Sequence, residues 1–243
     1  MPVDVSSPAP GTYAAVTGAS GAVGPHLAAA LAARGWPVAL VAGPSEGSGE
    51  SARDAVLALA PDARLGYSGI DLRDEAAARR QFEAFEGAVG ACSVLLNAVG
   101  GFAAGPAATV DAGFVAGLVE LNLLTVVNAT RAVLPGMLAR GQGFVLAFGA
   151  GAASSAAPGR TAYAAAKAAV AAYMRSLAAE LAGTGVHAAV VHPMGTIDTP
   201  ANRAAMPDAD TSRWIPVSRL VEAALYLAAN PGVRELEVHG GAG

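Results

Sequence analysis

The chain is poor in the residue types that build metal cages and nucleic-acid-binding surfaces. Its 243 residues include one cysteine, Cys92, so no disulfide forms within the chain and a cysteine-based metal site is excluded. The four histidines, at positions 26, 187, 192 and 239, show no ligand spacing, so the sequence predicts no metal site. Charged residues make up 14% and the net charge is −4 without a basic cluster, which argues against a nucleic-acid partner.

Long uncharged apolar runs and a basic start are missing as well. No stretch of about 18 apolar residues is free of charge, and the alanine-rich segment around Tyr163 carries Lys167, Arg175 and Glu180. The first 11 residues, MPVDVSSPAPG, lack the basic and apolar regions of a signal peptide and are expected to form a flexible tail. We therefore expect a cytoplasmic protein that does not bind a membrane.

Apolar, β-branched runs alternate with longer alanine-rich helical stretches along the whole chain. This alternation predicts an α/β fold, in which right-handed crossovers place helices on both faces of one doubly wound parallel sheet of Rossmann type. No linker divides the chain, so residues 1–243 are expected to form a single dinucleotide-binding oxidoreductase domain. The seven runs that predict strands are 12–18, 37–43, 63–72, 93–101, 144–150, 186–193 and 235–240.

Two further stretches have a predicted shape. Residues 111–141 are expected to form one long helix that is interrupted near Pro135, because proline removes a helical hydrogen bond. Residues 193–216 are expected to be a long irregular loop after a strand, which is typical of a lid over a ligand site.

A glycine-rich turn, TGASGAVG, lies between the first predicted strand and the first predicted helix. Small residues let a pyrophosphate approach the backbone closely, and the helix start offers free N–H groups and the positive end of its dipole. Any tight strand-to-helix turn can use glycine, so the position of the turn carries the prediction. The expected cofactor contacts in this turn are Thr17, Gly18, Ser20, Gly21, Val23 and Gly24.

Cofactor preference is usually set at the end of the second strand, where a carboxylate binds the adenosine ribose and repels a 2′-phosphate. Ala42 and Gly43 occupy that place, so the acid is absent and no cation is visible beside it. This favours NADP(H) over NAD(H). Asp71 is expected to contact the adenine together with Leu72, although a role of Asp71 as a helix N-cap explains its position equally well.

Tyr163 and Lys167 are four residues apart, so both side chains lie on one face of a helix. An ammonium group beside a phenol lowers the phenol pKa, and such a tyrosine can give a proton to a substrate while hydride arrives from a nicotinamide. Taken by itself, the spacing also fits an exposed helix with one extended lysine.

With the glycine turn and the segments LLNAVGG and ELNLLTVVNATRAVLPGM, this pair resembles the short-chain dehydrogenase/reductase family along nearly the whole chain. The resemblance implies that Tyr163 is the catalytic acid/base, that Lys167 supports it and holds the nicotinamide ribose, and that Asn122 positions a proton relay. It also implies cofactor contacts at Asn97, Pro193 and Thr199. Members of this family commonly form dimers or tetramers, so we expect a homo-oligomer.

The chain departs from the family pattern at the substrate side of the site. Ala150 stands where the family usually has a serine that binds the substrate oxygen, and Ser154 and Ser155 are four and five positions away. Residues 198–214 resemble the lid of the dihydropteridine reductases, a branch of this family that lacks the serine. That resemblance implies a substrate site at Ala150, Phe102 and Trp214, whereas packing is the simpler explanation for both aromatic residues.

These features predict an NAD(P)H-dependent reductase that transfers hydride to a small polar substrate, with an activity like that of the dihydropteridine reductases as one option. A carbonyl reductase or alcohol dehydrogenase for another small molecule is the alternative within the same enzyme class. A catalytically weak dinucleotide-binding sensor or partner protein is the alternative outside it.

Overall fold

Strands occupy the seven apolar runs in the computed structural model, which describes residues 5–155 and 158–241. Their bounds are β1 (Thr12–Thr17), β2 (Val38–Ala42), β3 (Leu65–Gly69), β4 (Ala91–Asn97), β5 (Gly143–Phe148), β6 (Val186–Pro193) and, last, β9 (Glu235–Val238). Two strands of two residues each, β7 (Ile197–Asp198) and β8 (Ile215–Pro216), form a separate small sheet. The other seven form one parallel sheet in the order β3-β2-β1-β4-β5-β6-β9, which confirms the predicted fold class.

Helices connect the strands and cover both faces of the sheet. Their bounds are α1 (Gly24–Ala32), α2 (Ser48–Leu59), α3 (Glu75–Val89), α4 (Ala112–Val119), α5 (Thr125–Arg140), α6 (Thr161–Glu180), α7 (Pro200–Ala205) and α8 (Val217–Ala229). Leu27 of α1 and Leu220 of α8 belong to one hydrophobic core. Phe82 of α3, Val133 of α5 and Met174 of α6 belong to the core on the opposite face.

Strand β1 shows why these strands are apolar throughout. Ala14 and Val16 belong to one core, whereas Tyr13 and Ala15 belong to the other. Successive side chains point to opposite faces of a strand, and both faces of this sheet are covered, so no position in β1 tolerates exposure to water. The strand order reverses between β1 and β4, and open α/β sheets bind ligands outside the carboxyl ends of strands at such a point.

Residues 112–140 form a continuous helical segment whose irregularity lies at a different place from the one predicted. Glu120–Leu124 form one turn of π-helix between α4 and α5, while Pro135 lies inside α5 without ending it. The expected break at Pro135 is therefore wrong. The wide turn occurs where Asn122 turns into the protein, and π-turns of this kind are frequent at functional sites.

By length and composition alone, Ala112–Arg140 could cross a membrane. The sequence-based expectation rested only on runs without charged residues and therefore did not identify this segment as long and apolar enough to cross a membrane. Asn122, Asn128 and Thr130 of the helix are buried, and α5 packs against α3 and β4. The segment is thus one of the helices that cover the sheet.

Two predicted loop regions are more ordered than expected. In the predicted tail, Val5 is buried and its carbonyl accepts a hydrogen bond of 3.1 Å from the Trp36 indole, so the expectation of a free tail is wrong from residue 5 onwards. Residues 1–4 lie outside the described residues. The predicted lid, 193–216, contains β7, α7 and β8 instead of being wholly irregular, because Ile197 and Ile215 pair in the small sheet.

Candidate active site

Close backbone contacts at the end of β1 explain the glycines of the first turn. Gly18 has φ +66°, and a Cβ on it would lie 2.6 Å from the carbonyl carbon of Ala98. A Cβ on Gly24 would overlap the Gly18 carbonyl oxygen and lie 2.7 Å from the Ala19 Cα. Side chains at either position would push apart the turn, the start of α1 and the end of β4.

Thr17 and Asn97 meet at the carboxyl ends of β1 and β4. The Thr17 hydroxyl donates a hydrogen bond of 3.3 Å to Asn97 Oδ1, and both side chains are buried. Asn97 Nδ2 has no hydrogen-bond partner within the described part of the chain. A buried unsatisfied donor costs free energy, so an acceptor group of a ligand is favoured beside it.

A cleft of about 340 Å³ opens at this switch point. Its walls come from the turns after β1, β2, β3 and β4, so it lies where a dinucleotide would lie across the strand ends. The lining includes Gly18, Ser20, Gly21, Ala42, Gly43, Asp71, Leu72, Val99 and Gly100. Two other predicted contacts of the first turn, Thr17 and Val23, do not line the cleft. Thr17 bonds to Asn97, and Val23 is the N-cap residue of α1.

The cleft also contains a cation that the sequence reasoning missed. Arg73 lines it and forms a two-pronged ion pair with Asp71, at 2.9 Å from Nε to Oδ1 and 2.7 Å from Nη2 to Oδ2. This contact holds the pKa of the Asp71 carboxyl below its usual range. Asp71 is not a helix N-cap, because Asp74 caps α3 through its bond to the Ala77 amide. Asn128 donates to the carbonyls of Leu72 and Arg73 and so fixes this turn.

Asn122 holds the turn after β4 through its amide group. Its Oδ1 accepts from the Gly101 amide at 3.2 Å, and its Nδ2 donates to the Gly101 and Leu118 carbonyls at 3.0 Å each. The side chain is fully buried. A Cβ on Gly101 would overlap the Leu121 side chain, so glycine permits this close approach.

Lys167 reaches the same place from α6. Its Nζ donates a hydrogen bond of 2.9 Å to the Phe148 carbonyl at the end of β5. A Cβ on Gly100 would lie 3.0 Å from Asn122 Oδ1 and 3.1 Å from Lys167 Nζ, so both groups face that backbone position. Burial lowers the pKa of the Lys167 ammonium to about 8. The structure therefore brings Asn122 and Lys167 together at the edge of the cleft that Gly100 lines.

Tyr163 lies one helical turn before Lys167 on α6. Burial raises the pKa of its phenol, and the charge of Arg160 offsets part of that rise. The net shift of this pKa is upward and not downward as expected, because removal of the phenol from water outweighs the charge of Arg160, while the Lys167 ammonium bonds to the Phe148 carbonyl. The Phe102 ring packs edge-on against Tyr163, with ring centroids 5.0 Å apart.

No serine replaces the one absent at Ala150. Ala150 is buried and precedes a short 3₁₀ turn, Gly151–Ala153. The hydroxyls of Ser154 and Ser155 both donate to the Gly151 carbonyl, at 3.3 and 2.7 Å. Within the described residues these hydroxyls are therefore engaged in their own turn.

The predicted residues of the lid have mainly structural contacts. Pro193 ends β6 beside Val238 of β9. The Thr199 hydroxyl accepts from the Asn202 amide at 3.1 Å and caps α7. Trp214 is only 8% exposed, which favours packing over contact with a substrate. Phe102, in contrast, is 59% exposed next to Tyr163.

The fold and the site define an α/β domain with a cleft at its switch point, beside a partly buried tyrosine and a buried lysine. The short chain dehydrogenase family model matches residues 12–210, and the chain belongs to this family of NAD(P)-dependent oxidoreductases.

Two relatives show how far the similarity extends. A short chain dehydrogenase of Pseudocercospora fijiensis is 31% identical over 197 residues, which cover 78% of this chain and 60% of that protein. An inactive 2-(S)-hydroxypropyl-CoM dehydrogenase of Xanthobacter autotrophicus is 34% identical over 149 residues, which cover 60% of this chain and 64% of that protein. The chain thus spans less than two thirds of the length of either relative.

A solved structure matches nearly the whole fold. The gluconate 5-dehydrogenase of Burkholderia cenocepacia, in complex with NADP and tartrate, superposes with a TM-score of 0.82 at 27% identity. The match covers 95% of this chain and 94% of that one.

We predict that Gly24→Ala abolishes cofactor binding, since its Cβ would overlap the Gly18 carbonyl and displace the turn. The measurement is the rise in melting temperature on adding NADPH or NADH, which reports binding to the folded state. Gly87→Ala is the control: Gly87 lies in α3 with open space around its Cβ position, so the variant gains about 0.5–1 kcal/mol of helix stability and keeps the cofactor-induced rise. An equal rise in both variants would contradict the role of the turn.

We predict that burial of Lys167 makes stability depend on pH above neutrality. Below pH 8 the amine is charged in both the folded and the unfolded state, and its burial costs free energy. As pH rises, the folded amine loses its proton near 8 and the unfolded one near 10.5, so the unfolded state binds more protons and stability increases.

The measurement is the free energy of unfolding of wild type and Lys167→Met by urea titration. The difference between them should shift in favour of the wild type by roughly 3 kcal/mol between pH 7 and 10.5. A difference that stays constant over this range would show that the ammonium is hydrated in the folded protein.

Proposed function

We propose that this protein is an NAD(P)H-dependent reductase of small carbonyl compounds. The observation that carries the proposal is the partly buried phenol of Tyr163, which lies one helical turn from Lys167 on α6 and packs against Phe102 of the turn after β4. A tyrosine phenol, with an ordinary pKa of about 10, is protonated at neutral pH, and this is the form that can give a proton to a substrate oxygen.

A nicotinamide cofactor, when bound, supplies the hydride. The cradle at Gly18 and Gly24 and the unpaired amide of Asn97 fit the polar groups of a dinucleotide. Tyr163 donates its proton to the oxygen of the carbonyl group. Lys167 favours the resulting phenolate, and Asn122 keeps the turn after β4 in place against it.

The cofactor cleft favours NADP(H) over NAD(H). Ala42 and Gly43 bring no carboxylate to the end of β2, and the carboxylate of Asp71 in the same cleft is neutralised by Arg73. Arg73 is also the nearest lining cation for a 2′-phosphate. The relative that was solved with NADP supports this choice.

The substrate is proposed to be a small oxygenated molecule that lies on Phe102. The exposed ring of Phe102 lies beside the phenol, so a bound molecule that covers it would have its reacting carbon near the Tyr163 oxygen. The gluconate 5-dehydrogenase was solved with tartrate, a small oxygenated molecule, besides NADP, which supports this choice.

A quinonoid dihydropterin is the second candidate substrate. The exposed aromatic ring of Phe102 favours it, because a flat ring can stack there, and residues 198–214 resemble the lid of the dihydropteridine reductases. The burial of Trp214 speaks against it, because that ring is not free to contact a pterin.

A catalytically weak dinucleotide-binding protein is the candidate outside the enzyme class. The missing serine at Ala150 favours it, and one of the relatives is itself an inactive dehydrogenase. The buried Lys167 and Asn122 speak against it, since burial of these polar groups costs stability that a purely structural site would not need.

We also propose that the protein is a cytoplasmic homo-oligomer, a dimer or a tetramer. Only about a third of the most apolar 18-residue segment of the helix 112–140 is buried inside the chain. Leu124 and Leu138 on this helix are 38% and 42% exposed. A second copy that packs on this surface would remove its apolar side chains from water.

For the activity, we predict that Tyr163→Phe lowers kcat/KM by roughly 100- to 10,000-fold, because the variant lacks the proton donor. The measurement is oxidation of NADPH and of NADH with aromatic aldehydes and with quinonoid dihydropterin generated in the cuvette. Tyr226→Phe, which changes a half-exposed tyrosine on α8, should keep full activity. Full activity of Tyr163→Phe would overturn the proposed mechanism, and cofactor binding without turnover of any substrate would favour the sensor.

For the assembly, we predict that sedimentation velocity at micromolar concentration gives the mass of two or four chains. Leu124→Glu and Leu138→Glu introduce charges on the exposed side of the helix and should shift the protein towards the monomer. A wild-type monomer under these conditions would contradict the proposal.

A further inference from the structure

A cation, an aromatic ring and the Tyr163 phenol form a continuous row beside the cofactor cleft. The guanidinium carbon of Arg160 lies 5.4 Å from the centre of the Phe102 ring. The Phe102 ring centre also lies 5.0 Å from that of Tyr163, with the two planes at 79°. Neither Arg160 nor Phe102 lines the cofactor cleft.

The row is held together by the backbone of two segments. The Gly105 amide donates a hydrogen bond of 2.8 Å to the Gly159 carbonyl, which ties the turn after β4 to the residue before Arg160. Asn122 fixes the other end of that turn at Gly101. These bonds fix the backbone that carries Phe102 relative to the start of α6.

Arg160 occupies a position that disfavours a cation. It is the N-cap residue of α6, where its side chain makes no capping bond and its charge faces the positive end of the helix dipole. The Arg160 side chain is exposed, and the described residues place no carboxylate within ion-pair distance of its guanidinium. The contact with the Phe102 ring offsets part of this cost and keeps the guanidinium beside the ring that Tyr163 also contacts.

We propose that Arg160 binds a carboxylate group of the substrate and thereby restricts the site to carbonyl compounds that are acids. A guanidinium fork matches the two oxygens of a carboxylate. Arg160 and Tyr163 both contact the Phe102 ring, so we expect a substrate whose carboxylate and reacting carbonyl belong to one aromatic framework that lies on this ring. This specificity rests on the proposed reductase function.

The kinetic test compares 4-formylbenzoate with methyl 4-formylbenzoate, two aldehydes of the same shape of which only the first is an anion. Wild type should prefer the acid. Arg160→Gln should lower kcat/KM for the acid by about 10- to 100-fold, as expected for the loss of a charged hydrogen-bonded pair, and leave the ester within about 3-fold. Arg160→Lys should have a kcat/KM for the acid that lies between the values of the wild type and of Arg160→Gln. Arg79→Gln, which removes an exposed charge on α3, should change neither substrate.

Several results would overturn the proposal. A wild type that prefers the ester, or an Arg160→Gln variant that keeps its activity on the acid, would show that Arg160 binds no carboxylate. An equal loss on both aldehydes would show that it acts only by positioning Tyr163. If Arg160 had a structural role, Arg160→Gln would also have a lower melting temperature than the wild type. We expect an unchanged or higher melting temperature, because the variant removes a positive charge from the start of α6.

A binding experiment separates failure of this proposal from failure of the proposed function. Calorimetric titration with 4-(hydroxymethyl)benzoate in the presence of the reduced cofactor involves no hydride transfer, because neither the alcohol nor the reduced cofactor can accept hydride. Tyr163→Phe should bind this alcohol like the wild type, whereas Arg160→Gln should bind it at least 10-fold more weakly. Binding that depends on Arg160 without turnover of any aldehyde would overturn the reductase function alone. Absence of binding to the wild type, or equal binding to Arg160→Gln, would overturn the carboxylate site.

Discussion

The amide group of Asn122 is the contact on which the arrangement of the site depends. It bonds to both the N–H and the carbonyl of Gly101, and so it fixes a turn that has no regular structure of its own. This turn carries Gly100, which faces Lys167, and Phe102, which packs on Tyr163. The cleft, the proposed proton donor Tyr163 and the proposed substrate platform Phe102 therefore share one anchor, Asn122, that is fully buried.

Asn122 can make these bonds because the helix around it is wider than an α-helix. In the π-turn Glu120–Leu124 the Asn122 side chain also donates to the Leu118 carbonyl, one turn earlier. The neighbouring Leu121 comes so close to Gly101 that no side chain would fit there. The functional geometry is thus obtained from a local irregularity in a helix, at some cost in regular hydrogen bonding.

Electrostatics in the site is governed by burial more than by pairs of charges. Removal from water lowers the pKa of Lys167 and raises that of Tyr163, and both shifts favour the neutral form. A neutral phenol is suited to giving a proton. The charges that remain near the surface, Arg160 beside Phe102 and the Asp71–Arg73 pair in the cleft, are placed where ligands can reach them.

The sequence by itself determined the seven strands, the parallel doubly wound sheet and the family, because continuously apolar runs, turn glycines and a Tyr–Lys spacing are local signals. It did not determine the π-turn, the ion pair that Arg73 makes in the cleft, the burial of Trp214 or the order in the lid. Nor did it reveal that the Arg160 guanidinium contacts the Phe102 ring, since these residues are 58 positions apart in the chain. These features were decided by tertiary structure, because each depends on which segments the sheet order brings together and on how much water that packing removes.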